Sequence, residues 1–547
     1  MNIFFYAGKK DSPRVAYVIQ FISSVLGYPY RIGDKPDNLG KGGVIIRYGN
    51  SDPLKIVEPT TSIEIFDSGL LNKLEDFEKE VNLFDWRGRA IPILGSQMPE
   101  QNLQGWRLNK VAGFYSREKG QKILIPFDLY TNIFYHLSRF EEKWRHFAEE
   151  TITDHSTSVL ARHQSLDDPL VDTLIAYLDV IIRKSLGSFI RILPWPGGQS
   201  FAIAFTHDVD LTRGVSLKKR LLQRGVNLIS KIGANQKSAE DLNKKIAAED
   251  ASVWTYPQLL DLYKRYKRKA SFYFLVKMFE GLHFRYNITS RKFRTLIAEL
   301  SKEGHEIGLH SSLKAFDKAG KYTAERKSLE NATNQKPFGL RQHYLRAKFP
   351  RLWQLAADAG FAYDTSLGYN YQYGFRAGTS HPFRCYNFKK DKIVPIWEFS
   401  LTFFEYNLPK ETDSPEELIA IVEQLIAKVE QYEGLIVGLL HPSNFMQTNY
   451  NRLWEWLLQQ VEHRGAYSDS LMNIYKWIEQ RVKVEIKVST EYEITITKPA
   501  AMKTFAIELN EKMSPRASRI YKVDHISGNR YRITCDKTSF KLNLEQS

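Results

Sequence analysis

The stretch Phe201-Ala202-Ile203-Ala204-Phe205-Thr206-His207-Asp208-Val209-Asp210 begins small and apolar and ends in a polar burst. Such a run reads as a buried strand whose charged tip reaches a cleft at the carboxyl edge of a parallel sheet. Side chains alternate along a strand, so Thr206, Asp208 and Asp210 share one face, and His207 and Val209 take the other. Two carboxylates on one face repel each other, and either a bound cation or a shared proton stabilises the pair. The plainer reading of an Asp-x-Asp alone is a cap and turn before a helical segment at 215–230. The rest of the chain has to decide between them.

Outward from that strand, helical and strand patterns alternate: helix 257–266, strand 270–275, helix 291–303, strand 305–310, helix 350–359, strand 435–440 and helix 451–461. This alternation predicts a parallel sheet or a (β/α) barrel. Pro194-Trp195-Pro196-Gly197-Gly198 is the clearest punctuation upstream and marks a domain boundary. Residues 1–193 read as an α/β domain, with strands at 2–6, 44–48, 62–66, 90–94 and 122–126 and helices at 14–26 and 169–185. Aromatic residues recur at helical spacing over 128–147, a stripe expected to serve core or domain-interface packing. Residues 483–547 alternate with period two over 484–488, 492–497, 504–509 and 530–535, which predicts a small β-sandwich. The expected domains are therefore 1–193, 194–482 and 483–547.

A chain of 547 residues exceeds one ordinary core, and 43% hydrophobic with 25% charged residues is globular composition. The N-terminus shows no secretory pattern, and no apolar run approaches a membrane span. Two cysteines, Cys385 and Cys535, argue against a disulfide framework, so a reducing, cytoplasmic location is expected. The formal charge of +15 attracts anions of several kinds. No zinc-finger spacing, RNA-binding signature or Walker loop accompanies it, so nucleic acid is not expected. Nine Lys or Arg residues fall within 213–245. That stretch reads as a mobile helical flap, able to touch a membrane surface or hold an anionic substrate.

Four further clusters join the opening pair: Gly304-His305-Glu306-Ile307-Gly308-Leu309-His310-Ser311-Ser312, Gly339-Leu340-Arg341-Gln342-His343, Gly374-Phe375-Arg376-Ala377-Gly378 and Leu439-Leu440-His441-Pro442. Strand carboxyl ends converge on one face of a barrel, so tips remote in sequence can meet there. A carboxylate with two imidazoles is a ligand set for zinc or a similar divalent ion.

In combination and order, these motifs resemble the polysaccharide deacetylases of the NodB-homology type, carbohydrate esterase family four, over residues 200–480. The resemblance implies a distorted (β/α) barrel. It also implies that Asp208 is the general base, with Asp210 and His310 binding a divalent metal, expected to be zinc. Arg376 falls on the base-tuning arginine and His441 on the general acid. The sequence departs from the family pattern in two places. Lys314 occupies the position of the second metal histidine, and His343 is the expected replacement. The usual base-tuning carboxylate falls on Ser400, with Glu398 as a substitute. The expected activity is removal of acetyl groups from N-acetylated, or less commonly O-acetylated, sugars or glycans. The alternatives are a glycan-binding barrel of weakened activity and another amide or C–N hydrolase on the same fold.

Overall fold

The computed structural model describes residues 3–546, except 7–11, 34–42, 50–60, 72, 87–88, 100–103, 105–106, 112–113, 120, 144–157, 212–221, 225, 229–235, 277–278, 281–282, 285, 410–413 and 491. At its centre lies Ala202–Val209, buried at every position, as its run of small and apolar residues requires. It pairs in parallel with Ala270–Phe274 on one side and Leu435–Leu439 on the other. The full order of this nine-stranded sheet is Phe383–Asn387, Lys392–Glu398, Tyr363–Asp364, Gly339–Gln342, Glu306–Ser311, Ala270–Phe274, Ala202–Val209, Leu435–Leu439 and Phe403–Phe404. Only the pairing of Phe383–Asn387 with Lys392–Glu398 is antiparallel.

Helices alternate with these strands, as the hydrophobic spacing predicts. In Arg291–Lys302 the buried residues are Phe293, Leu296, Ile297 and Leu300, the i, i+3, i+4, i+7 face of an amphipathic helix. Pro415–Gln431 starts at Ser414, whose side chain accepts from the Glu416 amide, with Pro415 at a position that has no donor to lose. The mixed α/β architecture and its parallel sheet follow the sequence reading. The ladder itself ends at two edges, Phe383–Asn387 and Phe403–Phe404. Residues 399–402 carry the chain between them: Phe399 donates to Asp364 and Leu401 to Leu367, while Thr402 donates to Val437 near the other edge.

Upstream, a seven-stranded sheet runs in the order Tyr30–Gly33, Ile3–Tyr6, Val44–Tyr48, Thr61–Ile65, Lys122–Ile125, Phe114–Lys119 and Arg107–Val111. Its first five strands are parallel, and the last two add an antiparallel hairpin. The aromatic stripe over 128–147 forms the helix Leu129–Leu137 and a short turn at Phe140–Lys143, and residues 144–147 lie outside the described residues. Phe134 packs edge-on against Tyr17 at 6.1 Å and against Tyr386, in the edge strand of the central sheet, at 5.1 Å. The stripe thus packs between the helix Pro13–Leu26 and the edge of the central sheet.

Downstream, two four-stranded antiparallel sheets meet through Phe505 and Phe540. One of them takes its edge strand, Ile190–Ile192, from ahead of the central sheet, where it pairs with Thr504–Leu509. Sequence patterning offered no sign of that strand, because three residues are too few to show a period. Cys385 and Cys535 are both buried as free thiols. Of the basic stretch 213–245, residues 213–221, 225 and 229–235 lie outside the described residues, and the helix Gln236–Val253 begins within it. No described helix is long and apolar enough to cross a membrane.

Candidate active site

Parallel register aligns the carboxyl ends of neighbouring strands. Phe274 sits opposite Leu309 and Ser311 opposite Gln342, so the residues just beyond those tips share one rim. Asp210, directly after Val209, is the centre of that rim. Its Oδ1 lies 3.1 Å from His310 Nε2 and its Oδ2 3.1 Å from His343 Nε2. His441 Nε2 is 3.6 Å from the same Oδ2. The ligand atoms of Asp210, His310 and His343 all lie within 4.8 Å of one another, a spacing suited to one metal ion.

A second observation also favours a cation there. His310 Nδ1 lies 3.0 Å from the Arg341 carbonyl, which can only accept, so Nδ1 carries the proton and donates it. In the neutral ring, Nε2 then presents a lone pair to the carboxylate oxygen 3.1 Å away. Neither His310 Nε2 nor Asp210 Oδ1 has a hydrogen-bond partner among the described residues, and both atoms are buried. Two facing lone pairs are stabilised by a proton or a metal between them, and a ring nitrogen fixed by a carbonyl is the usual support of a metal-binding histidine. Burial alone would raise the Asp210 carboxyl, but His343 and His310 hold it well below the usual carboxylate range.

Strand alternation behaves as expected. Thr206 and Asp208 face inward and share one cation: Arg341 Nη2 donates to Thr206 Oγ1 at 3.2 Å, and its Nη1 is 3.6 Å from Asp208 Oδ1. Asp208 Oδ2 lies 3.8 Å from His310 Nε2. His207 points the other way, between the Leu440 carbonyl and the Tyr263 hydroxyl, each at 2.6 Å. Burial pushes this imidazole down to about 3, so it sits neutral in the core.

His441 Nδ1 lies 2.6 Å from Glu405 Oε1, an oxygen that also accepts from the His441 amide and from Asn444 Nδ2. Burial disfavours the imidazolium, yet Glu405 and then Asp210 raise the His441 pKa well above its usual value. The tip therefore carries a protonated imidazole beside the carboxylate centre. Tyr344 and Tyr406, 53% and 46% exposed, pack against His343 and His441 at 4.1 and 5.3 Å between ring centroids. They flank the rim with two ring faces.

The structure thus brings together Asp208, Asp210, His310, His343 and His441. Arg376 is elsewhere: its Nη2 donates to Glu142 at 2.8 Å and its Nη1 to the Gly368 carbonyl at 2.9 Å. Lys314 is exposed in the turn that follows Ser311 and Ser312. Glu398 accepts from Trp353 Nε1 and the Leu367 amide, and Ser400 Oγ has no hydrogen-bond partner among the described residues. Two members of the site have no role in the sequence reading, Arg341 and Glu405. Arg341 stands two residues before His343 in the same motif, and Glu405 follows the edge strand Phe403–Phe404. Position at a strand tip was the available signal for both.

Residues 3–186 match the model of a family of unknown function, DUF7033. No curated protein matches the chain. Among solved structures, the chain is similar to PuuE allantoinase, at 13% identity and a TM-score of 0.37, over 52% of this chain and 92% of that one. It is similar to a probable polysaccharide deacetylase from Pseudomonas aeruginosa, at 15% identity and a TM-score of 0.35, over 52% and 93%. It is also similar to the polysaccharide deacetylase Bc1974 from Bacillus cereus, at 12% identity and a TM-score of 0.27, over 49% and 91%. Likenesses at these scores assign no activity to this chain.

Proposed function

We propose that this protein is a metal-dependent hydrolase that removes acetyl groups from N-acetylated sugars or glycans. The observation that carries the reading is the convergence of Asp210, His310 and His343, bordered by an arginine-held carboxylate and a carboxylate-held imidazole. The motif resemblance over residues 200–480 supports it independently. Asp210, His310 and His343 would hold the divalent ion, and an oxygen-plus-two-nitrogen donor set favours zinc. When bound, that ion supplies Lewis-acid polarisation and acidifies water.

The chain's own groups then divide the proton work. Asp208, 3.6 Å from Arg341, takes a proton from the attacking water as the water oxygen bonds to the amide carbon. His441, kept protonated by Glu405, delivers a proton to the amine nitrogen as the C–N bond breaks. Acetate and a free amino sugar leave. Tyr344 and Tyr406 offer ring faces on which a sugar can lie.

The test combines two measurements on purified full-length protein: bound metal by atomic emission, and acetate release from N-acetylglucosamine oligomers. About one metal per chain with acetate release is expected. Metal without acetate release from any N-acetylated sugar would move the assignment to another amide hydrolase. A chain that binds no metal would end it.

A further inference from the structure

A cavity lined by none of the metal-binding rim residues lies where four parts of the chain meet. Its volume is about 580 Å³, within the range of small-molecule sites. One wall is the helix Pro13–Leu26 and another is the edge strand Tyr30–Gly33. The remaining walls are the end of the helix Leu471–Arg481, the strand Glu485–Val488, and Arg384 and Trp397 from the central sheet. Tyr30 and Val482 in the lining are 40% and 41% exposed, so the cavity opens to solvent.

The chemistry of the lining is lopsided. Four cations line it, Arg31, Arg384, Arg481 and Lys487, against one acidic residue among the described lining, Glu485. Arg384 is neutralised by Glu479 from outside the lining. Arg481 is not. Its guanidinium donates to three backbone carbonyls, those of Ser24, Ile192 and Leu193, and among the described residues no carboxylate bonds it. The nearby Glu433 is already held by Arg191 and Arg530. Burial and the neighbouring Arg191 push the Arg481 guanidinium down to about 10, the mark of a cation short of compensation. A guanidinium fixed by three carbonyls is also oriented before any ligand arrives. Five aromatic side chains, Tyr17, Phe21, Tyr28, Tyr30 and Trp397, share the rest of the wall with aliphatic and small residues.

We infer that this cavity binds a small ligand whose ring body packs against the aromatic wall and whose carboxylate or phosphate meets Arg481, Arg31 and Lys487. Its occupant would touch the first helix, the central sheet and the C-terminal strands at once, so binding stabilises their mutual packing as well as itself. This site is independent of the proposed metal chemistry.

The test is calorimetric titration of the full chain with glucose 6-phosphate, glucuronate and glucose. Saturable binding of one or both anionic probes, with none of glucose, is the expected result, and the preferred anion separates phosphate from carboxylate. Arg31→Ala with Lys487→Ala changes two exposed side chains and should weaken binding roughly tenfold, the size of one charge-assisted contact. Arg481→Gln should abolish it where the variant folds. His310→Ala, which dismantles the metal-binding rim, should leave it unchanged. Absence of binding by both anionic probes overturns the inference. So does binding that the double substitution leaves unweakened, or that disappears with His310→Ala.

Discussion

At the scale of single residues, the proposal rests on two buried pairs that do different work. Arg341 lies 3.6 Å from Asp208, and Glu405 keeps His441 an imidazolium. Asp208→Asn and His441→Ala should each reduce turnover by about 10²–10⁴-fold, the range for general acid–base groups. Bound metal should remain near one per chain in both variants, because neither residue belongs to the ligand triad. Asp210→Ala and His310→Ala should lose metal and turnover together, with circular dichroism unchanged. If Asp208→Asn also lost the metal, that residue would be a ligand and its role as base would fall. Asp208, Asp210, His310, His343 and His441 were legible in the sequence because each stands at a polar tip after an apolar run. Arg341 and Glu405 were not, because their roles depend on which strands become neighbours. Arg376 shows the same limit from the other side: its partner, Glu142, lies 234 residues upstream, and no local pattern records that.

At the scale of elements, two glycines in the parallel sheet leave room for tyrosine rings of the neighbouring strands. A Cβ on Gly339 would meet the Tyr363 ring at 2.3 Å, and one on Gly308 would meet the Tyr273 ring at 2.5 Å. Both tyrosines are fully buried, and their hydroxyls lie 3.1 Å apart. The Tyr363 hydroxyl also donates to Glu306, so neither ring can swing aside without breaking that network. Gly339→Ala should therefore destabilise the protein by about 1–3 kcal/mol, as overpacking does. Denaturant unfolding measures the loss, and no loss would show that the rings can yield. The βα alternation of this region was readable because each helix and strand buries one periodic face. The antiparallel return of Phe383–Asn387 was hidden because it follows directly on the glycine-bearing loop that holds Gly374 and Gly378.

For the whole molecule, the parts are tied by charge as well as by aromatic packing. Arg191 and Arg530 both bind Glu433, and Arg183 and Arg191 both bind Glu508, linking the helix Leu170–Ser185 to the C-terminal strands. Burial alone would raise the Glu433 carboxyl, but Arg191 and then Arg530 bring it down to about 2. A carboxyl lowered on folding binds fewer protons in the native state, so it stabilises fully above its ordinary range near 4.5 and less as pH falls towards 2. Glu433→Gln should cost about 3 kcal/mol at pH 7, the lower end for breaking a buried pair. The difference from the parent should shrink as pH falls below about 4. A difference constant with pH would remove the ion pairs from the account. The strand Ile190–Ile192 adds a consequence in time. It leaves the ribosome roughly three hundred residues before its partner, Thr504–Leu509, exists. For that interval a strand edge waits unpaired, and a chain stopped at residue 482 never covers it. Such a truncated product should be caught by aggregation rather than accumulate as a smaller folded protein.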